Sequence, residues 1–314
     1  IPQTHKGGMT FQVELNADQL YISNETQYAG TWRRDKSWVM KEDDDISQHL
    51  KSSEISVNNE FQVIRRLKNT SLSLLSYVEY YKRPQAMQVF PMLYPEIFAY
   101  TDCEQDGMEQ RIEGDRLHLK NDMTARVSAG HWVYRVRVGL DADIKNLETL
   151  LCPLGGEAGS SMRNDIDWKR LDAILEPSVS FHGRLLSAQL SMPLSQAWLK
   201  TQDRIHFWAN KKKRLLFQPF LYAELKLMPK LKMEGSFSYK EDWGDLNDAY
   251  LGYVMTGYRV ISNKSGKESC VKKQRYALSF AYSDILHALF ADLRFSYDWN
   301  KRNLIYNTTY EGFL

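Results

Sequence analysis

The chain has 314 residues, of which 12% are aromatic and 25% are charged, and its formal net charge is +2 at pH 7. This balance argues against nucleic acid as a partner, because such proteins carry a basic excess. No apolar run reaches the roughly 18 residues that a transmembrane helix needs. A membrane role would therefore require a β-barrel, whose hydropathy signal is weak in each strand. Three scattered cysteines, Cys103, Cys152 and Cys270, allow at most one disulfide.

Six hairpins are predicted along the chain. Successive side chains of a β-strand point to opposite faces, so alternating apolar and polar residues indicate a strand with one face of each kind. This pattern predicts hairpins over residues 9–32, 53–83, 108–143, 166–199, 213–240 and 273–300. Their turns fall at residues 16–18, 68–69, 128–130, 182–184, 228–230 and 283–286. We therefore expect an all-β protein with about twelve long antiparallel strands.

The alternation is clearest in the fifth hairpin. The apolar side of its first arm carries Leu215, Phe217, Leu221, Ala223, Leu225 and Leu227. The opposite side carries Gln218, Tyr222, Glu224 and Lys226. Each arm has on the order of a dozen residues, about twice the usual globular strand length. A tilted strand needs roughly 9–11 residues to cross a bilayer, so these arms are long enough.

The connections between hairpins are predicted to be much longer than the turns within them. They cover residues 33–52, 84–107, 144–164, 200–212 and 241–272. Strict alternation of short and long connections is typical of outer-membrane barrels, which have tight periplasmic turns and long external loops. A soluble β-sandwich explains one apolar face of each strand equally well. The alternation of short and long connections nevertheless favours an up-and-down transmembrane β-barrel.

Two further features bear on the strands. Pro177 and Pro193 lie inside the fourth hairpin and argue against central strands, but the alternation continues on both sides of each proline. Aromatic residues near the arm ends predict interface girdles. These residues are Tyr28, Trp32, Tyr80, Tyr81, Trp132, Trp168, Tyr239, Tyr297 and Trp299.

The polar side of the strands supplies the candidate ligand-binding residues. If the apolar side faces lipid, the polar side faces the lumen of the barrel. The lumen-facing candidates are Arg135, Arg137, Asp141, Glu224, Lys226, Glu234, Asp292 and Arg294. A solvated polar face is the alternative interpretation of each of these residues.

No catalytic, metal or cofactor motif is found in the sequence. Glycines 155, 156 and 159 lack the Lys-Ser/Thr ending of a phosphate-binding loop. Ser160 and Ser161 lie outside a nucleophile elbow, and the histidines show no zinc spacing. The acidic run 42–45 lacks EF-hand spacing and is interpreted as a solvated loop. We expect neither enzymatic activity nor a cofactor.

Four stretches resemble the barrel region of TonB-dependent outer-membrane receptors of the kind found in Bacteroidetes. They are residues 58–89 (NNEFQVIRRLKNTSLSLLSYVEYYKRPQAMQV), 175–195 (LEPSVSFHGRLLSAQLSMPLS), 250–259 (YLGYVMTGYR) and 276–306 (YALSFAYSDILHALFADLRFSYDWNKRNLIY). The resemblance covers roughly residues 10–310 and consists of hairpin chemistry rather than invariant signatures.

The resemblance implies a receptor that imports a bulky nutrient across the outer membrane with energy from TonB. The family's barrels have about 22 strands around a plug. Since about twelve strands and no plug are found here, we expect residues 1–314 to form a single barrel region that is a fragment, cut at both ends, of a larger barrel. The partners that the resemblance implies are the TonB complex, outer-membrane lipid and a lipoprotein lid. The alternative is a soluble or surface-attached β-rich binding module, for example for glycans.

Overall fold

The computed structural model describes residues 2–39, 46–92, 98, 107–257, 260–264, 266–267 and 269–304. Antiparallel strands dominate these residues, and short 3-10 turns occur at Ser160–Met162 and Leu246–Asp248. The described part contains no helix with the length and apolar character that membrane crossing requires. The predicted all-β class is therefore confirmed.

Seventeen strands follow one another in the described part of the chain. The first nine are β1 (Gln3–Ala17), β2 (Leu20–Val39), β3 (Ile46–Leu67), β4 (Thr70–Lys82), β5 (Gln85–Phe90), β6 (Met108–Ala129), β7 (Trp132–Pro153), β8 (Arg163–His182) and β9 (Leu186–Ser191). The others are β10 (Leu194–Asp203), β11 (Trp208–Phe217), β12 (Phe220–Met228), β13 (Leu231–Trp243), β14 (Val254–Gly257), β15 (Val260–Ser262), β16 (Cys270–Asp284) and β17 (Leu289–Arg302).

Three pairs of these strands are single long strands, each interrupted by a proline. β4 and β5 keep one register against β3 across Pro84, because Lys82 pairs with Ile55 and Gln85 pairs with Ser52. β9 and β10 both pair with β8 and form one long strand on either side of Pro193. β11 pairs with β10 and β12 pairs with β9, so these two strands form one long strand on either side of Pro219. Fifteen strands of the main sheet thus form twelve long ones in six up-and-down hairpins, as predicted.

Two of these interruptions, at Pro193 and Pro219, lie on one line across the sheet with Pro177, which lies inside the uninterrupted β8. The amide of Met192 donates to the carbonyl of Pro177, and the distance is 3.0 Å. Gln218 donates to Pro193 and Tyr239 donates to Pro219 at the same distance. Beyond this proline line β11 pairs with β10 only, whereas β12 pairs with both β9 and β13. A proline in a sheet removes one donor from the ladder, so the ladder is weakest along this line.

Several strands extend beyond the predicted arms, so the predicted connections were too long. β2 continues to Val39 and β7 continues to Pro153. The connection after the fourth hairpin, predicted over residues 200–212, is a turn over residues 204–207. Polar and apolar residues do not alternate regularly along these strand ends, so the pattern that predicts a strand is missing there. The acidic run 42–45 and Cys103 lie outside the described residues, whereas Cys152 and Cys270 are buried free thiols.

Two four-residue turns share an Asp-x-x-His pattern that the sequence reading did not identify. In the turn over residues 204–207 the carboxylate of Asp203 lies 2.8 Å from Nδ1 of His206. In the turn over residues 285–288 the carboxylate of Asp284 lies 2.9 Å from Nδ1 of His287. The residue after each histidine has a positive φ, 51° and 50°, which closes both turns.

The main sheet has an apolar outer face and a polar inner face. On β7, Val138 and Leu140 of the outer face are 55% and 54% exposed. On the neighbouring strand Asp122 of the inner face is only 6% exposed. The less exposed face is the concave side of a curved sheet, so the charged residues line the inside. Among the described residues β1 and β17 do not pair with each other, and the sheet is an open, partial barrel.

Residues 244–257, called here the inserted segment, pack on the inner face. Its Met255 joins a buried cluster that includes Met108 and Leu151 of the wall. Tyr250 and Val254 pack against Ile166. Trp168 belongs to a further buried cluster of the inner face and is 2% exposed. The prediction that Trp168 contributes to an outer aromatic girdle is therefore wrong.

Candidate functional site

The inner face carries a network of two arginines and two carboxylates on β6, β7 and β8. One oxygen of Glu176 accepts a hydrogen bond of 3.0 Å from Arg135, and the other lies 2.8 Å from Nη2 of Arg137. Nη1 of Arg137 lies 3.3 Å from the carboxylate of Asp122. We call Asp122, Arg135, Arg137 and Glu176 the arginine–carboxylate network. Two of the predicted lumen-facing residues thus share one carboxylate partner.

The strand periodicity positions this network. Arg135 and Arg137 are two residues apart on β7, so both point to the inner face. Register places Glu176 opposite Arg137, while Asp122 lies opposite Gly139. The absent side chain at Gly139 leaves room for the Asp122 carboxylate, whose Oδ1 has no hydrogen-bond partner among the described residues. Lys120 also contacts this carboxylate, at 3.4 Å.

A small cavity of about 240 Å³ adjoins the network on the inner face. Its lining includes Arg135, Glu176, Gln189, Ser191, Phe220, Ser238 and Lys240. The lining combines hydrogen-bond donors and acceptors with one aromatic ring, which suits a polar group of a ligand. Of the eight predicted site residues, Arg135 alone lines it.

A second group of ion pairs extends the polar inner face across β4, β6 and β7. Arg116 contacts Asp143 at 2.7 Å and Glu79 at 3.6 Å. Next to this arginine, Nε2 of His118 lies 2.9 Å from the carboxylate of Asp141. The predicted candidate Asp141 is therefore paired with a histidine rather than joined to the arginine–carboxylate network.

A third group of charges lies on β12 and β13. Nζ of Lys232 contacts Glu224 at 3.1 Å and Glu234 at 2.6 Å, so one lysine pairs with two predicted candidates. Lys226 is more remote, at 4.0 Å from Glu224. Tyr222 donates a 3.4 Å hydrogen bond to the same carboxylate.

The last two candidates lie apart from the others on β17. Asp292 and Arg294 contact each other at 3.6 Å, and their side chains are 59% and 78% exposed. β17 pairs only with β16 among the described residues. The eight predicted residues therefore form four separate groups on one face rather than one site.

The structure also assigns contacts to residues that the sequence reading did not single out. Asn164 is 2% exposed, and its Oδ1 accepts hydrogen bonds from the amides of Leu251 and Gly252 at 3.1 and 2.7 Å. Gln110 accepts a 2.8 Å hydrogen bond from the amide of Met255. These two side chains attach the inserted segment to the wall. Asn164 and Gly252 are 88 positions apart in the sequence, and Gln110 and Met255 are 145 positions apart.

At the turn after β10 an exposed arginine, Arg204, pairs with two aspartates. Asp167 and Asp165 lie 2.6 and 3.2 Å from the exposed guanidinium of Arg204. The negative charge of Asp167, followed by that of Asp165, raises the pKa of Arg204 above its usual value. The described residues include no group of three or more side chains suited to a metal ion.

The inner face as a whole offers fixed, paired charges instead of a reactive group. Each arginine or lysine of the three paired groups already contacts at least one carboxylate. A polar ligand could exchange one such partner for its own groups at little net cost, because these pairs are partly exposed to solvent. The arrangement suits reversible contact with a polar solute that moves along the face.

Comparison with known proteins supports the fold. No protein-family model matches the chain, and no curated protein matches its sequence. The chain is similar to the alcaligin outer-membrane receptor FauA from Bordetella pertussis, with a TM-score of 0.55 and 11% identity over 95% of this chain and 44% of that one. It is also similar to the ferric-catecholate import receptor Fiu from E. coli K12, with a TM-score of 0.57 and 7% identity over 95% and 54%.

The chain thus spans about half the length of the receptors that it resembles. At such low identities the likeness establishes the fold alone. The twelve long strands, the two-faced sheet and the comparisons agree on one conclusion: this chain has the all-β fold of part of the wall of an outer-membrane receptor barrel.

Proposed function

We propose that the chain is part of a TonB-dependent outer-membrane receptor that imports a bulky nutrient. The observation that carries the proposal is the contrast between the two faces. Large apolar side chains on the outer face remain 40–65% exposed, among them Phe11, Val138 and Leu140. Exposed apolar patches of this extent are rare on soluble monomers, whereas a lipid environment makes them favourable.

In this proposal residues 1–314 form a single barrel region of a longer receptor. Transport would then depend on a complete barrel, a plug and the TonB complex. The Bacteroidetes-type assignment and a lipoprotein lid rest on the sequence resemblance. The two similar receptors carry the names of alcaligin and ferric catecholates, so a bulky polar chelate is a reasonable class of ligand.

The route of the ligand would follow the inner face. A ligand captured at the long connections would meet the inserted segment first, and then the cavity beside Arg135 and Glu176. The Arg116–Asp143 pair, nearer the long connections, and the Lys232–Glu224 pair, nearer the short turns, provide alternative partners along the wall. Arg135, Arg137, Asp141, Glu224, Lys226, Glu234, Asp292 and Arg294 remain the proposed ligand contacts.

Membrane fractionation tests the proposal. The protein is expected in the outer-membrane fraction, with faster gel migration before heating than after it, as folded barrels retain structure in detergent. Single cysteines at Gly156 and Asn69, in a background with Ser at the three native cysteines, test the orientation on intact cells. Gly156 should react with an impermeant reagent and Asn69 should not. A detergent-free soluble monomer would instead support the binding module.

A further inference from the structure

Three lysines stand side by side on the outer face of the sheet. Register places Lys200 directly opposite Lys169 on β8 and directly opposite Lys211 on β11. All three side chains are exposed. Lys213, two residues from Lys211, points to the same face. We call these four residues the lysine row.

Like charges that face each other across strands destabilise a sheet, since their Cβ atoms lie only about 5 Å apart. On the inner face, by contrast, Lys232 contacts two glutamates. Within the described residues no carboxylate forms an ion pair with any member of the lysine row. Nearby Asp167 contacts Arg204 instead. The row therefore has unmatched positive charge where an anion would be stabilised.

The lysine row borders the apolar part of the outer face. Leu171 and Trp198 lie two residues from Lys169 and Lys200 on the same face, and they are 42% and 41% exposed. Leu215, two residues beyond Lys213, is 63% exposed. Tryptophan is enriched at the membrane–water interface, and lysines beyond it reach the headgroups. The row thus lies at the level where lipid headgroups begin.

A second site at the same end of the sheet repeats the arrangement. Arg34 on β2 pairs in register with Lys51 on β3, and both are exposed. They line an outer groove of about 660 Å³ together with Trp32. Cations beside an outward-facing tryptophan therefore occur twice at the end of the wall that carries the longer connections.

We propose that the lysine row binds the phosphate groups of a membrane lipid headgroup while the acyl chains lie against Leu171, Trp198 and Leu215. Free phosphate has the same charged group as a lipid headgroup but no acyl chains. We infer a lipid because the apolar residues beside the lysine row can contact acyl chains. The inference rests on the proposed outer-membrane location and adds a specific lipid contact to it. Its energetic basis is the attraction of surface lysines to anionic lipid, which acts within a Debye length.

The test measures binding of a fluorescent phosphatidic acid to the full chain inserted in phosphatidylcholine vesicles. The variant carries K169Q, K200Q and K211Q, and we expect its affinity to fall about 100-fold, since each lysine near the surface contributes about a factor of five. The control carries K6Q, K68Q and K267Q, which remove the same charge from exposed lysines elsewhere. Its affinity should remain close to that of the unmodified chain.

The outcomes distinguish an error in the lysine row from an error in the lipid assignment or in the outer-membrane location. Equal affinities of the two triple variants would overturn the lysine row alone, provided that both insert and migrate as folded barrels. Full displacement of the lipid by millimolar inorganic phosphate would overturn the lipid assignment. It would show that the site binds free phosphate and gains no affinity from acyl chains. If the unmodified chain does not associate with vesicles, the outer-membrane location and the lipid site are both wrong.

Discussion

Gly139 and Asp122 face each other on β7 and β6, and a Cβ atom built at Gly139 would lie only 2.1 Å from Oδ1 of Asp122. No side chain can coexist with that carboxylate position. The glycine is therefore a condition for the contact between Asp122 and Arg137, and the arginine–carboxylate network depends on a residue that takes no part in it.

Replacing Gly139 with alanine should destabilise the wall by about 1–3 kcal/mol, the usual cost of forcing atoms into an occupied space. The carboxylate must move away from Arg137, because its own Oδ1 is the clashing atom. Urea unfolding in detergent measures the effect. Gly114→Ala on the neighbouring strand is the control, since its added Cβ would meet its nearest atoms at 3.9 Å. Equal midpoints for the two variants would contradict the prediction.

The substitution Glu176→Gln should lower the unfolding free energy by about 1–3 kcal/mol, because hydrogen bonds to charged groups are the stronger ones. A value near the lower end is expected, since the Arg135 side chain is 41% exposed and solvent screens its charge. Glu157→Gln removes an exposed carboxylate from the connection after β7 and serves as the control. A loss no larger than that of the control would show that the two arginines do not need Glu176.

Charge placed on the outer face distinguishes a membrane wall from a soluble sheet. Val138→Arg should reduce the free energy of insertion and folding in vesicles by about 2–4 kcal/mol, the cost of an arginine near the bilayer midplane. Ala209→Arg, near the end of the outer face, should cost only about 0–1 kcal/mol. Both positions are exposed, so a soluble sheet would tolerate both substitutions equally. Folding yield and urea titration in vesicles provide the measurement.

The inserted segment should open when its anchor is removed. Asn164→Ala takes away the acceptor of two amides, and we expect hydrogen exchange at Leu251 and Gly252 to accelerate roughly 30- to 100-fold, as the loss of about 2–3 kcal/mol of local stability implies. Asn146→Ala, which removes a single side-chain hydrogen bond to Asp115, should leave exchange at both amides unchanged. Unchanged exchange in the Asn164 variant would show that apolar packing alone holds the segment.

The sequence predicts the hairpins well because each long strand has one apolar side and one polar side. Residues such as Val138 and Arg137 alternate over enough positions to reveal both strand and face. The pattern ends where polar and apolar residues stop alternating, so the extensions to Val39 and Pro153 were not predicted. Trp168 was misassigned because an aromatic residue near a strand end has the same signal whichever way it points.

The site was harder to predict than the strands. Alternation placed Arg135 and Arg137 on the inner face, and the structure gives them one partner in Glu176. It could not show that Asp141 pairs with His118, since that pairing depends on the register between β6 and β7. Nor does any local pattern connect Asn164 with Gly252, 88 residues away. Such contacts follow from the tertiary path of the chain.

The proline line has a mechanical consequence for the wall. Pro177, Pro193 and Pro219 each supply an acceptor and no donor, so three adjacent strands lose stiffness at the same height. Past that height no backbone ladder joins β11 to β13 among the described residues, and side chains connect the strands instead. Arg214 of β11 forms an ion pair with Glu241 of β13, and Arg170 of β8 donates a 2.6 Å hydrogen bond to the carbonyl of Trp243. The sheet can thus bend along this line while the ladders on either side of it keep their register.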